Sequence, residues 1–256
     1  MYSFNWYIAK SVNPVFDQII RDMAASFRSH AKDIEINIIS AKDSSYQAGF
    51  ERMKNIFAPK SIWHLFGHAP FWWKIVRLHS RTVHTLLDST KWAGFPTRLF
   101  NEGALTGQGV IYPVFDSLAS RTEDVNKAVF VRGKVDLPEG DYEVIDISHK
   151  VLRPEALSGI YIASESGPRE AMRAGILTMR GVAVASQKSG YLDEILGPDG
   201  YFMLDDNSDM SRVIKFGLGE KGRHMAMSAR HFLKTRRSHD KCAESLISVY
   251  KRVLAQ

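Results

Sequence analysis

Ser164-Glu165-Ser166-Gly167-Pro168 sets a small-residue turn between a strand-like run, Gly159–Ala163, and a helix-like run opening at Arg169. A helix N-terminus leaves backbone N–H groups without intrahelical partners and carries about half a positive charge, which suits a diphosphate. Gly167 lets the backbone approach a ligand closely, and Pro168 fits a first helical turn. The plain alternative is an ordinary helix start with Ser166 as N-cap. Histidines concentrate at 64, 68, 79 and 84. His68 follows Gly67 on a loop, whereas His64 lies within a strand-like run and reads as packed in or beside a sheet. None of their spacings gives the HxxxH pair of a helical zinc site. Asp205-Asp206 are adjacent and poorly spaced for a metal clamp.

Two further groups carry charge. Phe71-Trp72-Trp73-Lys74 with Arg77, His79 and Arg81 is aromatic and basic. It suits either a membrane surface or, the favoured reading, one buried helical face with solvated cations. Lys234, Arg236 and Arg237 suit phosphates or, more simply, a solvated helix end.

Strand-like and helix-like segments alternate along the chain, which predicts layered α/β structure with parallel strands. Strands are expected at Tyr2–Ala9, Ile34–Ser40, Ser61–Phe66, Arg81–Leu87, Gly109–Phe115, Ala128–Val131, Tyr142–Ile147, Gly159–Ala163, Gly181–Ser186 and Tyr201–Leu204. Helices are expected at Pro14–Phe27, Gln47–Phe57, Phe71–Leu78, from Arg169 to Gly175, and at Tyr191–Leu196. The C-terminal part reads as helix over Met210–Phe216, Gly222–Arg236 and Asp240–Ala255. Ser117–Lys127 is polar, without apolar period, and reads as a linker. The expected domains are 1–117, 118–238 and a closing helix at 239–256 that returns to the first domain.

The 256 residues are 45% hydrophobic, enough for one large core or two modest ones, and not those of a disordered chain. A single cysteine, Cys242, excludes an internal disulfide and favours a reducing cytoplasm. No run reaches the roughly 18 apolar residues of a membrane-spanning helix. MYSFNWYIAK does not read as a signal peptide. The net charge of +6 suits an anionic partner.

Three segments resemble the two-domain glycosyltransferases of the GT-B fold, in particular retaining family four. SIWHLFGHAPFWWKIVRLHSRTVHTLLDS (61–89) is similar to that family's strand–helix–strand unit, with Asp88 at its end. IYIASESGPREAMRAG (160–175) and VAVASQKSGYLDEIL (182–196) resemble the donor-binding signature and the glutamate-bearing turn after it, here Glu194. SARHFLKTRRSHDKCAESLISVYKRVLAQ (228–256) resembles the closing helices. The resemblance implies two Rossmann-like domains facing a cleft. It places a diphosphate clamp at Arg132, Gly133 and Lys134, and a donor loop at Ser164, Glu165, Ser166 and Gly167. Glu165 would lie near the transferred sugar, Glu170 would accept hydrogen bonds from ribose hydroxyls, and His68 would contact sugar or acceptor. Glu165 and Glu170 are separated by four residues, where the family has seven. A second alignment makes Gly181, rather than Gly175, the helix end and leaves Ile176 in the glutamate position. KSVNP (10–14) replaces the family's Gly-Gly loop.

The implied activity is transfer of a sugar from a nucleotide-sugar to a glycan or lipid-linked acceptor, with retention. Arg132 and Lys134, rather than a metal, would neutralise the leaving diphosphate, and no cofactor is expected. This reading belongs to polysaccharide biosynthesis in the cytoplasm, with peripheral membrane contact as an option and no nucleic-acid partner. Two alternatives stand beside it: a reduced, non-catalytic GT-B-like protein that binds a sugar or a partner, and a basic nucleic-acid-binding protein.

Overall fold

Apolar, β-branched runs pair into two separate sheets, each belonging to its own compact unit. The computed structural model describes residues 2–12, 14–31, 34–41, 61–79, 81–87, 95–101, 104–115, 127–148, 159–165, 167–205 and 208–255. The expected helix at Gln47–Phe57, the linker up to residue 126, Asp88 and Ser166 lie outside the described residues. The fold is mixed α/β with two parallel-rich sheets.

The first unit comprises Met1–Val114 and His239–Gln256. Its strands are β1 (Tyr2–Ile8), β2 (Ile34–Ser40), β3 (Ser61–Phe66), β4 (Arg81–Thr85), β5 (Phe95–Asn101) and β6 (Ala104–Ile111). Their spatial order is β2-β1-β3-β4-β5-β6, parallel from β2 to β4 and antiparallel beyond. Helix α1 (Pro14–His30) buries Phe16, Ile19, Ile20, Met23 and Phe27 at helical spacing. Fully burying such side chains stabilises the fold by about 1.5–3 kcal/mol each. Helix α2 is Trp73–His79.

The β5–β6 hairpin corrects the expectation of one strand at Gly109–Phe115. β5 is an additional strand and β6 begins earlier, at Ala104, and ends at Ile111. Pro96 within β5 and the polar, glycine-bearing β6 give weak local β signals. Pairing to β4 supplies the missing preference, since Thr82, Val83, His84 and Thr85 stand opposite Phe100, Leu99, Arg98 and Thr97.

The second unit is Phe115–Ser238. Its strands are β7 (Ala128–Val131), β8 (Glu143–Asp146), β9 (Gly159–Ile162), β10 (Ala183–Gln187) and β11 (Phe202–Leu204). All pair in parallel, in the order β11-β10-β9-β7-β8. The helices are α3 (Pro168–Met179), α4 (Gly190–Leu196), α5 (Met210–Gly217) and α6 (Glu220–Arg236). Val129, Val131, Ile160, Ile162, Ala183 and Ala185 form a cluster with Ile214 of α5. Alternation turns Phe130, Tyr161 and Val184 to the opposite face. Gly217 is required beside β9, because a Cβ there would come within 2.2 Å of Ile160.

Helix α7 (His239–Leu254) completes the first unit. Its Arg252 donates to the Gln108 carbonyl of β6 at 3.0 Å. Its Tyr250 reaches a wholly buried polar network around His64. His64 Nδ1 lies 2.6 Å from Tyr250 Oη, and its Nε2 lies 2.7 Å from Thr85 Oγ1. Thr85 Oγ1 is 2.9 Å from Thr97 Oγ1, which donates to the Phe95 carbonyl. With that proton committed, Thr85 donates to Thr97 and accepts from His64 Nε2–H. Tyr250 therefore donates to the bare Nδ1, and His64 is neutral. Burial holds His64 well below its ordinary pKa, with His84 adding in the same direction, and pushes Tyr250 well up. Among the described residues, no helix is long and apolar enough to cross a membrane.

A base whose folded pKa is depressed stabilises the fold above its unfolded pKa, near 6.5, and loses that contribution as pH falls. Urea unfolding of wild type should weaken below about pH 6.5. His64→Gln should flatten that acid loss while lowering stability at neutral pH. Parallel pH profiles for the two proteins would remove His64 as the titrating group.

Candidate functional site

Strand order decides where a ligand can sit in the second unit. From β7 the chain passes to β8 on one side and then crosses to β9 on the other, so the order reverses between β7 and β9. A crevice opens outside the carboxyl ends of parallel strands at such a switch point. Arg132 follows β7 there, and Ser164 and Glu165 follow β9.

The turn after β7 is fixed by its neighbour β8. Gly133 adopts φ +76°, a left-handed conformation that favours glycine. Its N–H donates to Asp146 Oδ1 at 3.1 Å and to Ser148 Oγ at 2.8 Å. Asp146 Oδ1 also accepts from the Ser148 N–H at 2.8 Å. The turn is thereby bolted to the end of β8, which fixes where Arg132 leaves the sheet. Lys134 is exposed beyond it.

Arg132 stands between two carboxylates. Its Nη1 lies 2.5 Å from Glu165 Oε2 and 3.8 Å from Glu170 Oε2. Glu165 is exposed on its loop, whereas Glu170, in the first turn of α3, is 1% exposed. Tyr161 Oη of β9 donates to Glu170 Oε1, and Arg173 Nη1 donates to Glu170 Oε2 at 2.7 Å. Burial pushes the Glu170 carboxyl up, and the guanidiniums of Arg173 and Arg132 pull against it. Burial in turn lowers Arg173, against the Glu170 charge. The carboxylate sequence reading offered to a ribose is thus turned inward, with both oxygens bonded to the protein.

Helix α3 begins with Gly167 as N-cap and Pro168 in the first position, without a side-chain cap bond. It runs past Gly175 to Met179, and Gly181 follows its end at φ +98°. Gly181 therefore marks the helix end, as in the second alignment, and Ile176 is buried within the helix. Beside Glu165 a cleft of about 560 Å³ is lined by Ser164, Ser186, Gln187 and Asp205, with Leu204 and Met210 as apolar wall. Ser186 is 1% exposed, and its Oγ has no hydrogen-bond partner among the described residues.

Of the residues named from sequence, Arg132, Gly133, Glu165, Gly167 and Glu170 converge around the switch point, with Ser164 on the same loop and Lys134 at its rim. His68 belongs to the first unit, at the corresponding reversal between β1 and β3. Gly67 turns there at φ +95°, and its carbonyl accepts from His84 Nε2 at 2.8 Å. The His68 N–H donates to Ser11 Oγ at 3.4 Å, which leaves its exposed ring on a tethered loop. Sequence reading missed Tyr161, Arg173, Asp146 and Ser148. The i,i+3 spacing of Glu170 and Arg173 was a usable signal. Tyr161 gave none, since an aromatic residue in a strand reads as core.

Removing one member of a buried ion pair strands the other charge at about 3–5 kcal/mol. Arg173→Met should cost about 3 kcal/mol, at the lower end because Arg132 stands 3.8 Å from Glu170. Glu170→Gln combined with Arg173→Met should recover most of it, because Gln still accepts from Tyr161. A urea-denaturation double-mutant cycle measures this, and additive losses would show that the pair is not coupled. No family model matches the sequence, and no curated protein matches it.

Proposed function

We propose that the protein binds a nucleotide-sugar through the second unit and transfers the sugar to a glycan or lipid-linked acceptor. The observation that carries this reading is the placement of Arg132 at the β7/β9 switch point, paired with an exposed, displaceable Glu165 beside the N-terminus of α3. A diphosphate has the charge to take the place of the Glu165 carboxylate on Arg132. The α3 N-terminus adds a favourable dipole, and exposed Lys134 adds a second cation. The neighbouring cleft has hydroxyl, amide and carboxylate groups, which suit the hydroxyls of a sugar ring.

In this reading the two units are Rossmann-like domains of a GT-B-like pair, the first for the acceptor and the second for the donor. Arg132 and Lys134 take up the charge that develops on the departing diphosphate, the chief electrostatic demand of the reaction. Released from Arg132, Glu165 is free to face the sugar. The departing phosphate itself can accept the acceptor's proton, so no protein base is assigned, and anomeric configuration is retained. A second reading, donor binding without transfer, is favoured by Glu170: its oxygens are spent on Tyr161 and Arg173.

Calorimetric titration with a nucleoside diphosphate and with the matching nucleoside tests the clamp. Arg132→Ala with Lys134→Ala should weaken diphosphate binding by about 10-fold or more, a charge-assisted hydrogen bond being worth about 1.5–3 kcal/mol, and leave the nucleoside unchanged. Equal losses for both ligands would refute the clamp. Release of nucleoside diphosphate from a nucleotide-sugar in the presence of acceptor separates transfer from binding alone. If wild type binds neither diphosphate nor nucleotide-sugar, both readings fall.

A further inference from the structure

Helix α2 of the first unit is apolar on two faces. Trp73 and Val76 are 2% and 1% exposed and seat the helix on the unit. Phe71, Ile75 and Leu78 fall at positions i, i+4 and i+7, so they share the opposite side, and they are 84%, 51% and 56% exposed. Phe71 lies in the turn that enters the helix, where the Lys74 N–H donates to the Phe71 carbonyl. Single exposed apolar residues are ordinary, but three on one stripe call for a partner.

The surrounding charge identifies that partner. From Ser61 to Leu87 the sequence contains no aspartate or glutamate. The same stretch holds Lys74, Arg77 and Arg81, and Lys74 is exposed beside the stripe. Arg77 lays its guanidinium 4.9 Å from the centre of the Phe100 ring. A second copy of the same basic stripe would bring like charges together. An apolar protein groove with a neutral rim would gain nothing from the absence of acidic residues. An anionic bilayer surface matches both features: acyl chains accept Phe71, Ile75 and Leu78, and headgroup phosphates meet Lys74 and its neighbours.

The stripe also stands on rigid support. Trp72 packs edge-on against Tyr7 at 4.7 Å and Trp73 at 6.0 Å, so the turn carrying Phe71 is braced by aromatic rings from β1 and α2. Pre-ordered apolar side chains enter a bilayer without the entropy cost of folding the segment that presents them.

We infer that the α2 stripe Phe71–Ile75–Leu78, with Lys74, docks the protein on the surface of an anionic lipid bilayer. This stands independently of sugar transfer, since it rests on a different unit and different residues. The test is cosedimentation of the full chain with vesicles of phosphatidylcholine alone and of phosphatidylcholine with phosphatidylglycerol. Wild type should bind the mixed vesicles, bind phosphatidylcholine at least 10-fold more weakly, and weaken as salt rises. The triple variant Phe71→Ser, Ile75→Ser, Leu78→Ser should lose binding by 10-fold or more. Lys74→Glu should lose about 5-fold or more, with most of that loss disappearing at high salt. Met227→Ser, an equally exposed apolar site in the second unit, should behave as wild type. All positions changed are exposed, and unaltered circular dichroism and melting would confirm intact folds. Equal binding to both vesicle types, full binding by the triple variant, or no binding by wild type would each overturn the assignment. Loss of self-association in the triple variant, without vesicle binding by wild type, would assign the stripe to a second copy instead.

Discussion

A carboxylate has been buried beneath the carboxyl ends of β7 and β9, and the second unit is arranged around keeping it paired. An isolated charge in such a place would cost several kcal/mol. Glu170 avoids that through Tyr161 from the strand, Arg173 from the next helical turn and Arg132 from the loop after β7. These partners come from three different elements of the chain. Satisfying one carboxylate therefore fixes the tilt of α3, the exit of the β7 loop and the position of the Glu165 turn together. Gly133, tied to Asp146 and Ser148, supplies the backbone conformation that brings Arg132 into range.

The first unit repeats the strand reversal, but the polar groups it buries are of a different kind. Its buried polar groups are neutral: His64, Tyr250, Thr85 and Thr97 pass hydrogen bonds from helix α7 across β3 and β4 to β5. A neutral relay carries no desolvated charge, yet each member still needs its neighbour, because an unpaired buried group costs about 1–3 kcal/mol. Tyr250 helps hold the last helix in this unit, together with buried Leu246, Val249 and Val253. His84 plays the corresponding part at the surface, holding Gly67 so that His68 is presented on a fixed turn.

The parallel strands were legible from their β-branched and aromatic residues: Ala128–Val131 is an uninterrupted apolar run buried on both faces, whereas Ile34–Ser40 alternates, as suits an edge strand. The β5–β6 hairpin was not legible. Pro96, Gly107 and Gly109 argue locally against strands, and β6 gains its place from pairing with β5 and from the approach of α7, where Val249 sits 3.0 Å from the position of a Gly109 Cβ. At the site, residue types pointed to the Glu165 turn, and the resemblance to the glycosyltransferases supplied Arg132. They did not announce that Glu170 faces inward, because a first-turn glutamate reads the same whether its partner is solvent, a ligand or Tyr161. Direction on a helix depends on what packs against it, and Tyr161 is nine residues earlier on another element. The Phe71–Leu78 segment has the buried face that its aromatic density suggested, formed by Trp73 and Val76, but residue types did not show that Phe71, Ile75 and Leu78 lie on the exposed one.

The two carboxylates on Arg132 differ in what it would take to replace them. The Glu170 side chain is 1% exposed and holds two other bonds, so withdrawing it would open a buried pair. The Glu165 side chain is 61% exposed, and a pair of that kind is worth about 0–1 kcal/mol after solvent screening. A ligand phosphate, as proposed, would therefore compete only with the weaker partner. It would meet a guanidinium already desolvated on its inner side and already aimed, since Glu170 and the β7 turn hold it. In the proposed function, the fixed acid positions the cation, and the exchangeable acid would cover it until an anion arrived. On the proposed function, this division between a structural and a displaceable carboxylate would let the loop glutamate lie near the chemistry while the helix glutamate supports it from within.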